Sequence, residues 1–187
     1  MNTVSSPREV ATAAADRLYY SRGIQAVSMD ELRAETGLSL KKLYALFPSK
    51  EAIVLAVLHS RHEQWSAGLE RAAATATTPR ERVLSIYDYL LECFVSDDYR
   101  GCGFVNAFGE LGATVPAVAE AARAQKVGFQ GYVGKLVAAA GAPAELAPML
   151  VLLAEGAQTT AAICGTPDAA RSARAAAEAL LDGPRAA

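Results

Sequence analysis

The sequence contains only three cysteines among its 187 residues: Cys93, Cys102 and Cys164. Their number is odd and no Cys-x-x-Cys pair occurs, which argues against a disulfide framework and against a zinc site. No stretch approaches about 18 uncharged apolar residues, so no membrane span is predicted. The N-terminus carries Pro7 and Glu9 where a signal peptide needs an apolar core. These absences favour a cytoplasmic globular protein.

A large excess of charge of one sign is also missing, because the formal net charge is only −2. Its distribution is uneven. Residues 1–50 hold seven Lys/Arg against five Asp/Glu, whereas the remainder holds eleven against fifteen. With 52% hydrophobic and 20% charged residues the chain can bury a sizeable core. A mildly basic N-terminal part on an acidic body is typical of a protein whose head faces phosphates.

Sustained period-2 alternation is absent as well, and the chain is therefore predicted to be all-α. Helix starts are marked at Ser6 and Thr78, each followed by proline and then by glutamate at the third helical position. A long fourth helix is expected from Ser49 to about Ala74, and an eighth helix from Pro143 to Cys164. In all, caps and breaks predict about nine helices, forming a three-helix N-terminal head and an antiparallel C-terminal bundle.

The stretch from Ser28 to Lys50 predicts a helix-turn-helix unit within the head. Ser28 and Glu31 form a capping box that starts the first helix, and Gly37 can adopt the left-handed conformation that ends it. Ser39 is an N-cap for a second short helix, which ends before Pro48 because the residue before proline disfavours helical angles. Two short helices joined by a glycine-containing turn make up this motif.

The second helix has an inner and an outer face. Counted at 100° per residue, its inward stripe consists of Leu40, Leu43, Tyr44 and Phe47. The core of the head is predicted to be Leu18, Tyr19, Leu32, Leu43 and Phe47. Lys41 and Lys42 lie on the outer face near the helix N-terminus, which suits an anionic partner. Exposed charge is also the ordinary state of lysine; the surrounding pattern is what favours DNA.

These residues resemble the TetR family of transcriptional regulators. The similarity runs from Val10 to Leu58, and its most specific part is the run Leu43-Tyr44-x-x-Phe47-Pro48-Ser49-Lys50-Glu51. The resemblance implies a homodimer with N-terminal DNA-binding heads and C-terminal bundles that bind a small-molecule effector. It also implies that the last two long helices form the dimer interface. We expect a DNA-binding domain over residues 1–50 and a ligand-binding and dimerisation domain over residues 51–187.

The resemblance further implies that Ser39, Tyr44 and Lys50 hold phosphates. Lys42 is expected to contact either a guanine edge in the major groove or a phosphate. Where the family often has a small residue, Lys41 adds a charge that favours nonspecific affinity. The whole candidate DNA-binding set is Ser28, Ser39, Leu40, Lys41, Lys42, Tyr44 and Lys50.

Candidates for an effector pocket are the aromatic and polar residues on otherwise apolar body helices. They are Tyr87, Phe94, Phe104, Asn106, Phe108, Glu110, Phe129, Tyr132 and Gln158. Asn106 and Glu110 are one helical turn apart, so both side chains should point the same way. Ordinary core packing is the alternative for each aromatic residue.

The predicted function is a repressor that leaves a near-palindromic operator when a small molecule binds the bundle. One alternative is a thiol switch between Cys93 and Cys102, although buried inert cysteines are the simpler interpretation. Another is a helical enzyme or carrier, but no nucleophile–base pair supports catalysis. His59, His62 and Glu63 have metal-compatible spacing without forming a closed site. Neither a metal nor a cofactor is predicted.

Overall fold

A computed structural model describes residues 6–183 of the chain. Within this range the backbone forms helices and no strand. The nine helices described are α1 (Pro7–Arg22), α2 (Met29–Thr36), α3 (Leu40–Leu46), α4 (Lys50–Ala74), α5 (Pro79–Phe94), α6 (Gly103–Leu111), α7 (Pro116–Ala139), α8 (Leu146–Cys164) and α9 (Asp168–Asp182). The all-α prediction is confirmed. One boundary differs, since α8 begins at Leu146 and not at Pro143.

Local capping determines where several helices begin. The Ser6 hydroxyl accepts a hydrogen bond from the Glu9 amide, and the Glu9 carboxylate accepts one from the Ser6 amide at 2.7 Å. Thr78 and Glu81 form the same reciprocal box at the start of α5. Each box satisfies two backbone donors that a helix N-terminus leaves without a partner. Proline follows both caps, as expected from its fixed φ angle.

The chain divides into two compact units. Unit 1 comprises the described residues up to Glu63 together with Gly103–Arg123, and unit 2 comprises Gln64–Cys102 and the described residues from Ala124 onwards. The backbone of α4 and of α7 therefore continues from one unit into the other. This division differs from a single boundary at residue 50, because α6 and the first third of α7 belong to the same unit as the head helices. The functional division at residue 50 stays a prediction.

The core of unit 1 is formed by the head helices and the first half of α4. Tyr19, Leu32, Leu43 and Phe47 are buried as expected, whereas Leu18 is only half-buried. Small alanines on the inner side of α1 bring its backbone close to its neighbours, so the larger Leu18 is turned towards the edge. Of the two helices of the predicted motif, α2 packs against both α1 and α3.

In unit 2, α5, α8 and α9 pack together around a core rich in leucine, valine and alanine. The short connection at residues 165–167 makes α8 and α9 antiparallel neighbours.

Among the described helices, α8 alone is long and apolar enough to cross a membrane, with a mean hydropathy of 1.4. This criterion concerns length and composition only, and core helices of bundles meet it too. Glu155 lies in the middle of α8, paired with Lys126 at 2.7 Å.

Candidate nucleic-acid interface

The helix-turn-helix forms as the local sequence predicts. The Ser28 hydroxyl accepts from the Glu31 amide while the Ser28 amide donates to the Glu31 carboxylate at 2.7 Å. The chain leaves α2 at Gly37, whose φ of 67° lies in the left-handed region that side chains disfavour. Ser39 then caps α3 by accepting from the Lys42 amide at 3.2 Å. The Ser28 and Ser39 hydroxyls are thus both engaged with the backbone at helix starts.

The seven residues of α3 divide into a buried and an exposed face. Leu43 and Phe47, the C-cap, are 1% and 0% exposed and anchor the helix to the core of unit 1. Leu40 is half-buried. Tyr44 is 50% exposed, so its assignment to the inward stripe was wrong. Its ring lies beyond the edge of the buried stripe, on the side where Lys41 and Lys42 are exposed.

The lysines of α3 differ from three arginines of α1 and α2, each of which forms an ion pair with a carboxylate. Arg17 pairs with Glu35 at 3.0 Å, Arg22 with Glu31 at 2.6 Å and Arg33 with Asp30 at 3.4 Å. No ion pair of Lys41 or Lys42 exists within the described part of the chain. Their positive charge is therefore not neutralised by a neighbouring carboxylate, and it is available to an external anion.

Lys50 is half-buried rather than freely exposed. Its ammonium donates a hydrogen bond to the Val27 carbonyl at 2.6 Å and lies 5.9 Å from the centre of the Tyr19 ring. An ammonium group has three protons, so the contact with Val27 leaves donors for another acceptor. The phosphate-holding role of Lys50 stays a prediction, but this residue also joins the start of α4 to the segment before α2.

Arg8 is a residue beside α3 that the sequence pattern did not single out. Its guanidinium lies 4.2 Å from the centre of the Phe47 ring and donates to the Leu46 carbonyl at 2.6 Å. It thereby satisfies a free carbonyl at the C-terminus of α3 and places a positive charge there, where the helix dipole favours one. Nothing in the spacing of Arg8 and Leu46, 38 residues apart, indicates this contact.

The nine candidate effector residues divide between the two units, with four in unit 1 and five in unit 2. In unit 2, the buried Tyr87 hydroxyl donates to the Leu150 carbonyl at 2.9 Å. Phe129 packs edge-on against Trp65 at 5.7 Å between ring centres. Phe94, Tyr132 and Gln158 are buried or half-buried. These contacts are those of a packed core, and a ligand role for the five stays a prediction.

In unit 1, the four candidates on α6 differ from one another. Phe104 is buried and Phe108 is 52% exposed. Asn106 and Glu110 both line a cavity of about 30 Å³, together with the Arg61 side chain. That volume accommodates ordered water, whereas organic ligands occupy pockets of roughly 300–1,000 Å³. Glu110 already uses its carboxylate, because both oxygens accept backbone hydrogen bonds from the α1–α2 connection.

The three cysteines lie in different surroundings. Burial raises the pKa of the Cys93 thiol, which disfavours its thiolate. The Cys102 sulfur lies 3.4 Å from the Lys126 ammonium, and Cys164 is exposed.

Two of the three residues with metal-compatible spacing contact each other: His59 Nε2 lies 3.5 Å from the Glu63 carboxylate. Over residues 6–183, no three His, Cys, Asp or Glu side chains are grouped so as to hold a metal ion.

Unit 1 combines a capped helix-turn-helix with exposed lysines on the second helix of the motif. These features are typical of helix-turn-helix regulators. Residues 11–57 match the model of a protein family, which is described as "bacterial regulatory proteins, tetR family". A TetR-family transcriptional regulator from Streptomyces coelicolor has the same fold, with a TM-score of 0.86 and 25% identity over 94% of both chains. Residues 11–57 therefore match the TetR family, and the fold of the described residues is that of a TetR-family regulator.

Two curated relatives come from Mycolicibacterium smegmatis. The HTH-type transcriptional activator FasR is 32% identical over 88 residues, which cover 47% of this chain and 40% of FasR. The HTH-type transcriptional regulator EthR is 29% identical over 140 residues, which cover 72% of this chain and 58% of EthR. The similarity thus spans between two fifths and three fifths of the length of these relatives. Both are regulators and not enzymes.

Proposed function

We propose that this protein is a DNA-binding transcriptional regulator that recognises duplex DNA through α3. The observation that carries the proposal is the pair of exposed lysines, Lys41 and Lys42, in the first turn of α3, which have no carboxylate partner among residues 6–183. In helix-turn-helix proteins the N-terminal residues of the second helix meet base edges in the major groove. Ser39, Tyr44 and Lys50 are the candidate phosphate contacts, and Ser28 and Leu40 complete the proposed set.

The active form is proposed to be a homodimer joined through α8 and α9. Leu152 and Ile163 on α8 are 71% and 79% exposed, which is unusual for large apolar side chains in a core-like helix. A groove of about 480 Å³ between the two helices is lined by small or apolar residues that include Gly156 and Ala173. A second copy of the same surface, related by a two-fold axis, would cover these side chains.

Regulation is proposed to be repression by occupancy, relieved by a small molecule that binds the body. An effector changes DNA affinity only to the extent that it binds one conformation better than the other. The continuous backbones of α4 and α7 provide the physical connection for such a change. If a saturating effector leaves the operator affinity unchanged, this mechanism fails while DNA binding stands. Because FasR is named a transcriptional activator, stimulation of transcription is the alternative outcome.

The proposed location is the cytoplasm, where bacterial DNA lies.

A second candidate is cysteine-based sensing by the same fold, and one contact favours it. Lys126 lies 3.4 Å from Cys102, and a neighbouring cation favours a reactive thiolate. Lys126 is also paired with Glu155 at 2.7 Å, which offsets its charge. Replacing all three cysteines by serine separates the candidates. Retention of the effector response in that variant supports a ligand, and loss of the response supports a thiol. A helical carrier or enzyme without DNA binding is the remaining alternative.

The test is selection of genomic fragments by the purified protein, followed by footprinting. We expect a near-palindromic protected site whose two halves are separated by about one helical turn of DNA, or a multiple of it, as a two-fold symmetric dimer requires. The Lys42→Ala variant distinguishes the two roles of that side chain. Loss of preference at one base position indicates base contact, whereas uniform weakening across sequences indicates a phosphate contact. Failure to enrich any duplex would refute the proposed function.

A further inference from the structure

Glu110 on α6 makes an unusual set of contacts with the DNA-binding head. One carboxylate oxygen accepts from the Ile24 amide at 2.9 Å, and the other accepts from the Gln25 amide at 2.9 Å. The Gln25 side chain returns a hydrogen bond to the Glu110 carbonyl at 2.9 Å. Both oxygens of a single carboxylate thus bind two successive backbone amides about 85 residues away in the sequence. Hydrogen bonds to an ionised acceptor are roughly twice as strong as neutral ones.

The bound segment is the connection between α1 and α2. It begins at Gly23, whose φ of 90° lies in the region that side chains rarely adopt. A Cβ atom there would meet both Glu110 oxygens at 3.4 Å, so glycine also leaves room for the carboxylate. Ile24 and Val27 within the connection are buried. Because the next residue, Ser28, caps α2, the conformation of this connection determines where the helix-turn-helix begins.

The other end of α6 is also held by residues of unit 1. The Arg61 side chain lies against Gly103, where a Cβ would come within 2.9 Å of its Cδ atom. Arg61 forms an ion pair with Asp16 on α1. Its guanidinium lies 3.9 Å from the centre of the Tyr20 ring. Thus α6 packs with the head although the residue preceding it, Cys102, belongs to unit 2.

We propose that Glu110 is a positioning residue for DNA binding: its carboxylate fixes the α1–α2 connection and, through it, the orientation of α2 and α3. The inference rests on the proposed function and deepens it, because it names the contact by which α6 acts on the head. A displacement of α6 would withdraw the acceptor from both amides. The exposed Gln25 amide could then bond to water, whereas the partly buried Ile24 amide would be left without a partner, which is costly. In this role Glu110 acts on the head, while the effector role expected from the sequence stays a prediction.

The test compares Glu110→Gln with Glu120→Gln in the full chain. Glutamine keeps the shape of the side chain but removes the charge, and its NH₂ group cannot accept from an amide. Glu120 is a matched control because it is an exposed glutamate of unit 1 whose ion pair, within residues 6–183, is with Arg123 on its own helix, at 2.6 Å. Three quantities are measured: the Ile24 and Gln25 amide proton resonances and exchange rates, the affinity for the duplex selected by the wild type, and the thermal midpoint.

For Glu110→Gln we expect altered resonances and faster exchange at both amides, and DNA affinity about tenfold lower. The dependence of affinity on salt should keep the wild-type slope, because no phosphate contact is lost. That unchanged slope separates a positioning residue from a cation that touches DNA. Glu120→Gln should resemble the wild type in all measurements. Gln25→Ala, which removes only the returned hydrogen bond, should lower the affinity less and with the same slope.

Wild-type affinity in Glu110→Gln would overturn the inference even if the amides respond, since the contact would then not position the head. Unchanged amide resonances would overturn it as well. If Glu110→Gln does not fold, Glu110→Asp replaces it, because the shorter side chain keeps the charge but cannot reach both amides. Wild-type affinity in that variant refutes the inference. The proposed function is judged on the wild type alone: absence of salt-dependent duplex binding there refutes DNA binding and removes the basis for the role of Glu110.

Discussion

At the scale of single residues, the start of the helix-turn-helix depends on the reciprocal contact between Ser28 and Glu31. The Glu31 carboxylate accepts from the Ser28 amide and is paired with Arg22 at 2.6 Å. Hydrogen bonding from the Ser28 amide, followed by the contacts with Arg22 and the Ser28 hydroxyl, lowers the pKa of Glu31 to about 2. The ionised form of this side chain is therefore favoured in the folded protein, and its contribution to stability depends on pH.

We expect the difference in free energy of unfolding between the wild type and Glu31→Gln to depend on pH. A folded-state pKa below the unfolded value contributes stability that is present above about pH 4.5 and is lost as the pH falls towards about 2. Urea denaturation of both proteins at pH 6, 4 and 3 measures it. The wild-type advantage should shrink steadily with acidification. An advantage that stays constant across this range would contradict the assigned contacts.

Contacts between residues close in sequence could be predicted, and those between distant residues could not. The boxes at Ser6, Ser28 and Thr78 are visible in the sequence because the partners are three positions apart. The hydrogen bond from Lys50 to Val27, across 23 residues, and that from Ile24 to Glu110, across 86, depend on how helices pack. The spacing of Glu110 with Asn106 gives no sign that the backbone donors bound to its carboxylate lie on another part of the chain.

At the scale of the element, the glycines show why a helix cannot be judged by propensity alone. In α4, helix propensity alone makes Gly68 a weak point that costs roughly 1 kcal/mol relative to alanine. A Cβ at this position would lie 2.1 Å from the Tyr89 ring, so the glycine makes room for an aromatic side chain on α5. That ring packs against Trp65 at 5.3 Å between centres, which limits its freedom to move. In α7, by contrast, Gly128 has no such neighbour within 4 Å.

Alanine substitution should therefore have opposite effects at these two glycines. Gly68→Ala should destabilise the protein by about 1–2 kcal/mol, because the cost of overpacking exceeds the gain in helix propensity. Gly128→Ala, in open space in the middle of α7, should stabilise by about 0.5–1 kcal/mol. Chemical denaturation of both variants beside the wild type measures the two changes. Stabilisation by Gly68→Ala would mean that Tyr89 does not lie against α4.

At the scale of the whole molecule, the sequence predicted the class and number of helices but not how they group. Helix starts and stops are local properties, so the nine helices of the described chain follow from caps, glycines and prolines. The association of α6 with the head depends on contacts of Arg61 and Glu110 with α1 and its following loop, which no periodicity reveals. For the same reason the predicted effector residues, selected by type, divide between two compact units.

The distribution of charge over the whole chain bears on the central claim. A net charge of −2 gives the molecule no general attraction to DNA. Affinity must then come from a local surface, and the exposed Lys41 and Lys42 on α3 provide one. Each phosphate contact made by a lysine adds about 1 to the steepness of the dependence of affinity on salt. This dependence is therefore a direct measure of whether these side chains meet DNA.

The most direct test is the equilibrium affinity for a selected duplex as a function of salt concentration. It is measured for the wild type, for a variant combining Lys41→Ala and Lys42→Ala, and for Lys135→Ala, an exposed lysine of α7 in unit 2. We predict steep loss of wild-type binding with rising salt, markedly weaker binding with a shallower slope for the α3 variant, and wild-type behaviour for Lys135→Ala. Wild-type affinity and slope in the α3 variant would contradict recognition of DNA through α3.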